Sequence, residues 1–255
     1  MRNKLTDELA VCGMNAVLAV GEHHPMTINR LFLREDRLQF FTGICKQLAE
    51  RKRPYKICED EELERICKSV HHQGVVAMIE EPVVESLSIE DLDLWASEGK
   101  TGIVLHSVGN DHNLGAIARA AAFFDASFIV LNESDNEIRL STSAYRIAEG
   151  AMEHLTVRKI TNTIAFLRDA SKQLLTIGTD TRARNRISDL SGIVKNMKPK
   201  SSPGIALVLG NEETGLPQEV KAQCSYLLRI PGTGYIDSLN VSQAAALFLH
   251  AIFEL

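Results

Sequence analysis

Four short runs of almost unbroken apolar residues constrain this chain more than any other feature: Ile103-Val104-Leu105, Phe128-Ile129-Val130-Leu131, Leu174-Leu175-Thr176-Ile177 and Ile205-Ala206-Leu207-Val208-Leu209. A strand with one wet face alternates apolar and polar residues, whereas a strand covered on both faces does not. The runs are separated by segments long enough for helices. They therefore predict an α/β fold, a mostly parallel sheet with helices on both faces, over residues 101–255.

The first eighty residues read differently. Short apolar runs at Leu31-Phe32-Leu33, Tyr55–Cys58 and Val75–Ile79 alternate with helical patterns at Ala10–Val20, Leu38–Glu50 and Glu61–Lys68, which predicts a small α/β domain over 1–80. Between the two regions, residues 81–100 combine Pro82, many acids and Gly99. This stretch reads as an acidic linker, helical around Ser88–Trp95 with Ser88 as a cap.

A net charge of −5 argues at first against nucleic acid, whose phosphates demand Lys and Arg. The distribution of charge along the chain argues the other way. Residues 1–79 carry 12 bases and 11 acids, residues 80–98 carry 7 acids and no base, and residues 99–255 carry 16 bases and 15 acids. Each flanking part is close to neutral, so the basic cluster Arg51, Lys52, Arg53 and Lys56 is available to phosphate, although a solvated helix end explains it too. The five cysteines are widely spaced and include no Cys-x-x-Cys pair, and neither His23-His24 nor His71-His72 has partners at ligand spacing, so no metal is expected. No apolar run is long enough to span a membrane, and a cytoplasmic protein is expected.

In open α/β sheets ligands bind beyond the carboxyl ends of the strands, so polar residues just after the apolar runs are the candidates. Strand 103–105 leads into a polar loop and a helix containing Asn113 and Arg119. Asn113 stands where a helix cap belongs, and Arg119 is the single charge in a small, apolar stretch, where burial would demand an anionic partner. Strand 205–209 ends in Gly210-Asn211-Glu212-Glu213-Thr214-Gly215, a turn whose glycines permit close backbone approach. The last run gives way to Ile230-Pro231 and then Ser238-Leu239-Asn240-Val241-Ser242, where local capping is an equal explanation for the polar residues. The Gly-rich dinucleotide and NTP-binding fingerprints and the Gly-x-Ser-x-Gly elbow are absent from the sequence.

These three segments, Asn113-Leu114-Gly115-Ala116-Ile117-Ala118-Arg119, Leu207–Glu212 with Gly215-Leu216, and Ile230-Pro231 with Ser238–Ser242, occur in the order and near the spacing of three family motifs. They resemble the signatures of the SpoU (TrmH-like) RNA 2′-O-ribose methyltransferases of the SPOUT superfamily. Gly13–Val17 and His72–Val75 are similar to that family's small substrate-binding domain. The resemblance implies a trefoil knot, a rare exception to unthreaded chain connections. It also implies a homodimer and methyl transfer from S-adenosylmethionine to a ribose 2′-hydroxyl, with ribosomal RNA favoured over transfer RNA. By the same resemblance Thr179, Gly210, Ile230 and Leu239 hold the cofactor, largely through backbone groups. Arg119, Asn113, Glu212, Ser238 and Asn240 form the catalytic set, with Glu212 orienting Arg119, and Arg51, Lys52, Arg53 and Lys56 grip RNA. The chain departs from the motifs at Gly232, where Met is usual, and at His112, where Pro is common. An inactive RNA-binding member and an RNA base methyltransferase are the alternatives.

Overall fold

The helix expected from Ala10 begins later, because the chain enters as a strand. In the computed structural model, which describes residues 8–133, 140–197 and 204–255, strand β1 covers Glu8–Cys12 and helix α1 covers Met14–His23. Gly13 separates them with a φ of 102°, a conformation open to glycine and to few other residues. Every residue of β1 is buried, so its apolar letters are those of a covered strand and carry no helical period.

The chain folds as two compact units: the described residues of 1–83 with those of 139–154, and the described residues of 84–138 with 155–255. In the first, β2 (Ile28–Leu33), α2 (Leu38–Glu50), β3 (Tyr55–Ile57), α3 (Asp60–Cys67) and β4 (Val75–Glu80) follow α1. The sheet order is β1-β4-β2-β3, with β4 antiparallel to both of its neighbours and β3 parallel to β2. Cys12, Cys58 and Cys67 pack with Leu63, Val76 and Met78 in one core cluster. The Cys12 thiol, hydrogen-bonded to Cys67 and buried, is pushed well above the usual thiol range, and the same bond holds Cys67 down at about 7.

The second unit holds the covered strands. Its elements are β5 (Glu85–Ser86), α4 (Ile89–Ser97), β6 (Thr101–Leu105), α5 (Asp111–Phe123) and β7 (Phe128–Asn132); then, after α6 (Thr142–Ala148) of the first unit, β8 (Thr156–Ile160), α7 (Thr163–Ala170), β9 (Leu175–Thr179), β10 (Asn185–Arg186), α8 (Leu190–Met197), β11 (Ile205–Leu209), α9 (Gln218–Lys221), β12 (Tyr226–Arg229) and α10 (Val241–Phe253). Eight strands form one sheet in the order β10-β12-β9-β11-β6-β7-β8-β5. Every neighbouring pair is parallel. Strands β6, β7 and β11 are buried along their whole length, as continuous apolar runs require.

Within the acidic stretch, Ser88 caps α4 through a capping box: its hydroxyl accepts from the Asp91 amide at 3.1 Å, and the Asp91 carboxylate accepts from the Ser88 amide at 3.0 Å. Helix α4 sends Leu92 and Trp95 into the core, where Trp95 stacks on Phe128 with ring centroids 3.7 Å apart. Gly102 makes room for that ring, since a Cβ there would lie 2.2 Å from it. Burying an aromatic or leucine side chain of this kind contributes about 1.5–3 kcal/mol, so the stretch is anchored into the second unit.

Candidate active site

Because the strands run parallel, the carboxyl ends of β6, β11, β9 and β12 lie along one sheet edge. Successive strands β6, β7 and β8 step to one side of β6, while β11, β9 and β12 lie on the other. The order therefore reverses at β6 and β11, and a reversal of this kind opens a ligand crevice beyond the strand ends. All three candidate loops, and Thr179 at the end of β9, leave from this edge.

The cap position expected of Asn113 belongs to Asn110. The Asn110 side chain accepts from the His112 amide at 2.8 Å and its φ is 78°, so α5 begins at Asp111 and Asn113 lies inside the first turn. Released from capping, the Asn113 side chain joins the three segments. Its Nδ2 donates to the Gly109 carbonyl at 3.2 Å and to Glu212 Oε1, and its Oδ1 accepts from Asn240 Nδ2 at 3.2 Å. A bond of this kind to a carboxylate contributes about 1.5–3 kcal/mol. Asn240 also serves as the expected local cap: its Oδ1 accepts from the Ser242 amide at 2.9 Å and the Ser242 hydroxyl at 2.6 Å. A continuous line Glu212–Asn113–Asn240 thus crosses from the second segment through the first to the third.

Asn211, inside the second motif but not among the expected site residues, builds the middle of this arrangement. Its Nδ2 donates to the Ser107 carbonyl at 2.9 Å, tying the second loop to the first, while its Oδ1 accepts from the Glu213 and Thr214 amides at 2.9 and 3.1 Å. An asparagine between Gly210 and two acids is a turn-former by its own chemistry, and that is the signal the sequence carries for it. Gly210 is tightly enclosed: a Cβ there would lie 2.5 Å from the Gly215 carbonyl carbon and 2.6 Å from the Leu216 nitrogen. The turn folding back on itself requires this glycine, whatever approaches from outside.

Arg119 lies six residues after Asn113 on α5 and is exposed. It lies off the buried face of α5, which is Leu114, Gly115, Ile117, Ala118 and Ala121. Ser238 and Leu239 lie in the exposed run 231–240. Gly232, the departure from Met, has nothing within 4 Å of its Cβ position, so this loop is open there.

The donor set at the strand ends fits the cofactor implied by the resemblance. Thr179, with its hydroxyl on the Val208 carbonyl at 3.3 Å, pairs in register with Leu228 of β12, so Thr179, Gly210 and Ile230 lie on adjacent strand ends. Ile230 and Leu239 are apolar and not buried, so their side chains can pack against a ring, and strand-end backbone carries donors and acceptors of the kind an adenine edge needs. Next to Thr179, Asp180 is held by Lys221 at 2.9 Å, both side chains being 15% exposed. Burial pushes the Asp180 carboxyl up, but the Arg182 amide and the Lys221 ammonium outweigh it and hold it below the usual range.

In the first unit the basic cluster is partly committed. The Arg51 guanidinium donates to the carbonyls of Pro25, Met26 and Ile28 at 2.7–3.3 Å, and the Lys56 ammonium sits on Glu62 at 2.7 and 2.9 Å. Lys52 and Arg53 are exposed and form no ion pair among the described residues.

Comparison with known proteins returns the same two parts. The profile of the SpoU rRNA Methylase family matches residues 100–250, and that of the RNA 2′-O ribose methyltransferase substrate-binding domain matches residues 10–83. The chain is 32% identical to a TrmH family tRNA/rRNA methyltransferase of Bacillus subtilis over 72% of its own length and 70% of the relative's. It is 29% identical to the 23S rRNA (guanosine-2′-O-)-methyltransferase RlmB of Nitrosomonas europaea over 98% of its own length and 93% of the relative's. Among solved structures, the AdoMet-bound rRNA methyltransferase of Sinorhizobium meliloti superposes with a TM-score of 0.76 at 22% identity, covering 97% of this chain and 87% of that one.

Proposed function

The chain belongs to the SpoU rRNA Methylase family, and on that premise we propose that it methylates a ribose 2′-hydroxyl of ribosomal RNA, with S-adenosylmethionine as donor. The observation that carries this reading is the hydrogen-bonded line Glu212–Asn113–Asn240, which gathers the three motif segments at the switch point of the sheet. Ribosomal RNA is favoured because RlmB relatives align along nearly the whole chain, the small N-terminal part included.

When bound, S-adenosylmethionine supplies a methyl group already activated on a sulfonium. What remains for the protein is to align the acceptor oxygen and manage one proton. Asn113 suits the first task. Its two N–H groups go to Glu212 and Gly109 and one Oδ1 lone pair goes to Asn240, leaving one lone pair to accept from a ribose hydroxyl. Glu212 fixes Asn113, and orienting Arg119 is the further role the resemblance implies for it. A guanidinium keeps its proton and is a poor base, so Arg119 acts as a cation that holds the RNA phosphate or the developing alkoxide, and the proton leaves to water. Ser238, beside the site in the open loop, completes the acceptor pocket, and Thr179, Gly210, Ile230 and Leu239 hold the cofactor.

Residues 1–80 act as an RNA-holding domain, joined through 81–100 to the catalytic domain at 101–255. The reading includes a homodimer and the family's knot. The exposed apolar residues Phe123 on α5 and Leu247 and Phe253 on α10, two helices that pack together, support a dimer face. A cytoplasmic location accords with an RNA substrate. Nucleoside mass spectrometry of ribosomal RNA from a strain lacking the gene tests the reading. Loss of one 2′-O-methylnucleoside is expected, and loss of a base methylation with all ribose methylations intact would overturn it.

A further inference from the structure

We propose that Arg182, Arg184 and Arg186, with Arg229 beside them, form a phosphate-binding strip on the catalytic unit, against which the backbone of the substrate RNA lies next to the methyl-transfer site. The proposal rests on the RNA-methylation reading and assigns that site a second grip besides the N-terminal domain.

The chain leaving β9 runs Thr181-Arg182-Ala183-Arg184-Asn185-Arg186. Ala183 is buried and Asn185 half-buried, while the three arginines are exposed. Arg182 sits in a turn closed by the Ala183 amide on the Asp180 carbonyl at 3.0 Å, and Arg186 lies in β10, so the three exposed arginines follow one another from the end of β9 into the outermost strand. Arg186 ends β10, the outermost strand, and is the register partner of Arg229, which ends β12. Like charges paired directly across strands are unfavourable. None of the four arginines forms a salt bridge to a carboxylate among the described residues. Two acids flank them: Asp180, which feels the charge of Arg182, is ion-paired with Lys221, and the Asp189 carboxylate accepts from the Arg186 backbone amide at 2.7 Å. Four arginines, none of them ion-paired among the described residues, outnumber the two carboxylates beside them, one of which Lys221 already neutralises, and this excess of positive charge suits an external anion.

Position and extent select the anion. β10 and β12 are parallel to the rest of the sheet, so the strip lies at the carboxyl edge, with Arg229 adjoining Ile230 of the third motif loop and Arg182 three residues beyond Thr179. Arg182, Arg184, Arg186 and Arg229 offer several separate cations along this edge, more than a single carboxylate needs and suited to successive phosphates of one strand. The N-terminal cluster, where Arg51 and Lys56 are already bound within the fold, leaves room for this second contact.

The test compares the full-length protein with its R182Q/R184Q/R186Q and R182K/R184K/R186K variants. Each is titrated with a 23S rRNA transcript over a salt series and, separately, with S-adenosylmethionine, after circular dichroism has checked the fold. The glutamine variant is expected to bind RNA about 10–100-fold more weakly, with a salt slope smaller by about 2–3. The lysine variant should keep both near the parent, and cofactor affinity should be unchanged in all three. RNA affinity and slope unchanged in the glutamine variant would overturn the strip alone. A parallel loss of cofactor binding would also overturn it, by assigning these arginines to the cofactor's carboxylate. No RNA binding by the parent protein would sink the methylation reading and the strip together.

Discussion

Replacing Gly210 with alanine probes the turn that carries Glu212. The added Cβ would stand 2.5 Å from the Gly215 carbonyl carbon, 2.6 Å from the Leu216 nitrogen and 2.7 Å from the Gly215 oxygen. All three are backbone atoms, so no rotamer change relieves the clash. Overpacking of this kind costs about 1–3 kcal/mol, and in a chain of this size each kcal/mol lowers Tm by roughly 2–4 °C. The same displacement pulls Glu212 off Asn113, and a misplacement near 1 Å can cost about 100-fold in turnover. Gly215→Ala is the matched control. Its φ is 67° but nothing lies within 4 Å of its Cβ, so it bears only the left-handed penalty of about 1–2 kcal/mol. Thermal melts and methyl-transfer rates of both variants decide the matter: Gly210→Ala should fall further in Tm and lose about 100-fold or more in turnover. Parental Tm and turnover in Gly210→Ala would refute the argument that the turn's own backbone demands this glycine.

Other perturbations separate positioning from packing. Asn113→Ala should lower turnover at least about 100-fold while changing urea-melt stability by only about 1–2 kcal/mol, since water can replace its bonds at a half-exposed position; a loss of stability with turnover intact would make Asn113 structural. Trp95→Ala, deleting a 3% exposed side chain stacked on Phe128, should destabilise by about 3–5 kcal/mol in the same assay, and a cost under about 1 kcal/mol would contradict the anchoring of α4. The Asp91 carboxyl is raised by burial but held below the usual range by Arg158 and the Ser88 amide, so its contribution is present above the unfolded pKa near 4 and fades as pH falls through the lower folded value. Arg158→Met should therefore cost about 1–3 kcal/mol at pH 7 and progressively less as pH falls below about 4; a deficit that does not vary with pH there would remove the electrostatic explanation.

Legibility in the sequence follows burial. β6, β7, β9 and β11 are readable because strands covered on both faces show few polar interruptions. β8, Thr-Val-Arg-Lys-Ile, has only Ile160 fully buried and lies near the sheet edge, so its letters look like a loop. β1 looks like the start of a helix because its apolar residues run straight on into a genuine helix, and only the backbone at Gly13 marks the join. At the site, the rule of strand ends places the candidate loops but not the bonds among them. Whether Asn113 or Asn110 caps α5 depends on where the helix starts, and helix starts are the least certain part of a sequence reading. The fates of Arg51 and Lys56 depend on carbonyls and a carboxylate that only the fold brings near.

The central claim, methyl transfer to a ribose hydroxyl of ribosomal RNA, is tested most directly in a purified reaction. Unmodified 23S and 16S rRNA transcripts and a transfer RNA would each be incubated with the full-length protein and methyl-labelled S-adenosylmethionine, then digested to nucleosides for mass spectrometry. The account predicts label in a single 2′-O-methylnucleoside from ribosomal RNA, reduced about 100-fold or more by Asn113→Ala. Label in a methylated base, or in transfer RNA alone, would contradict it.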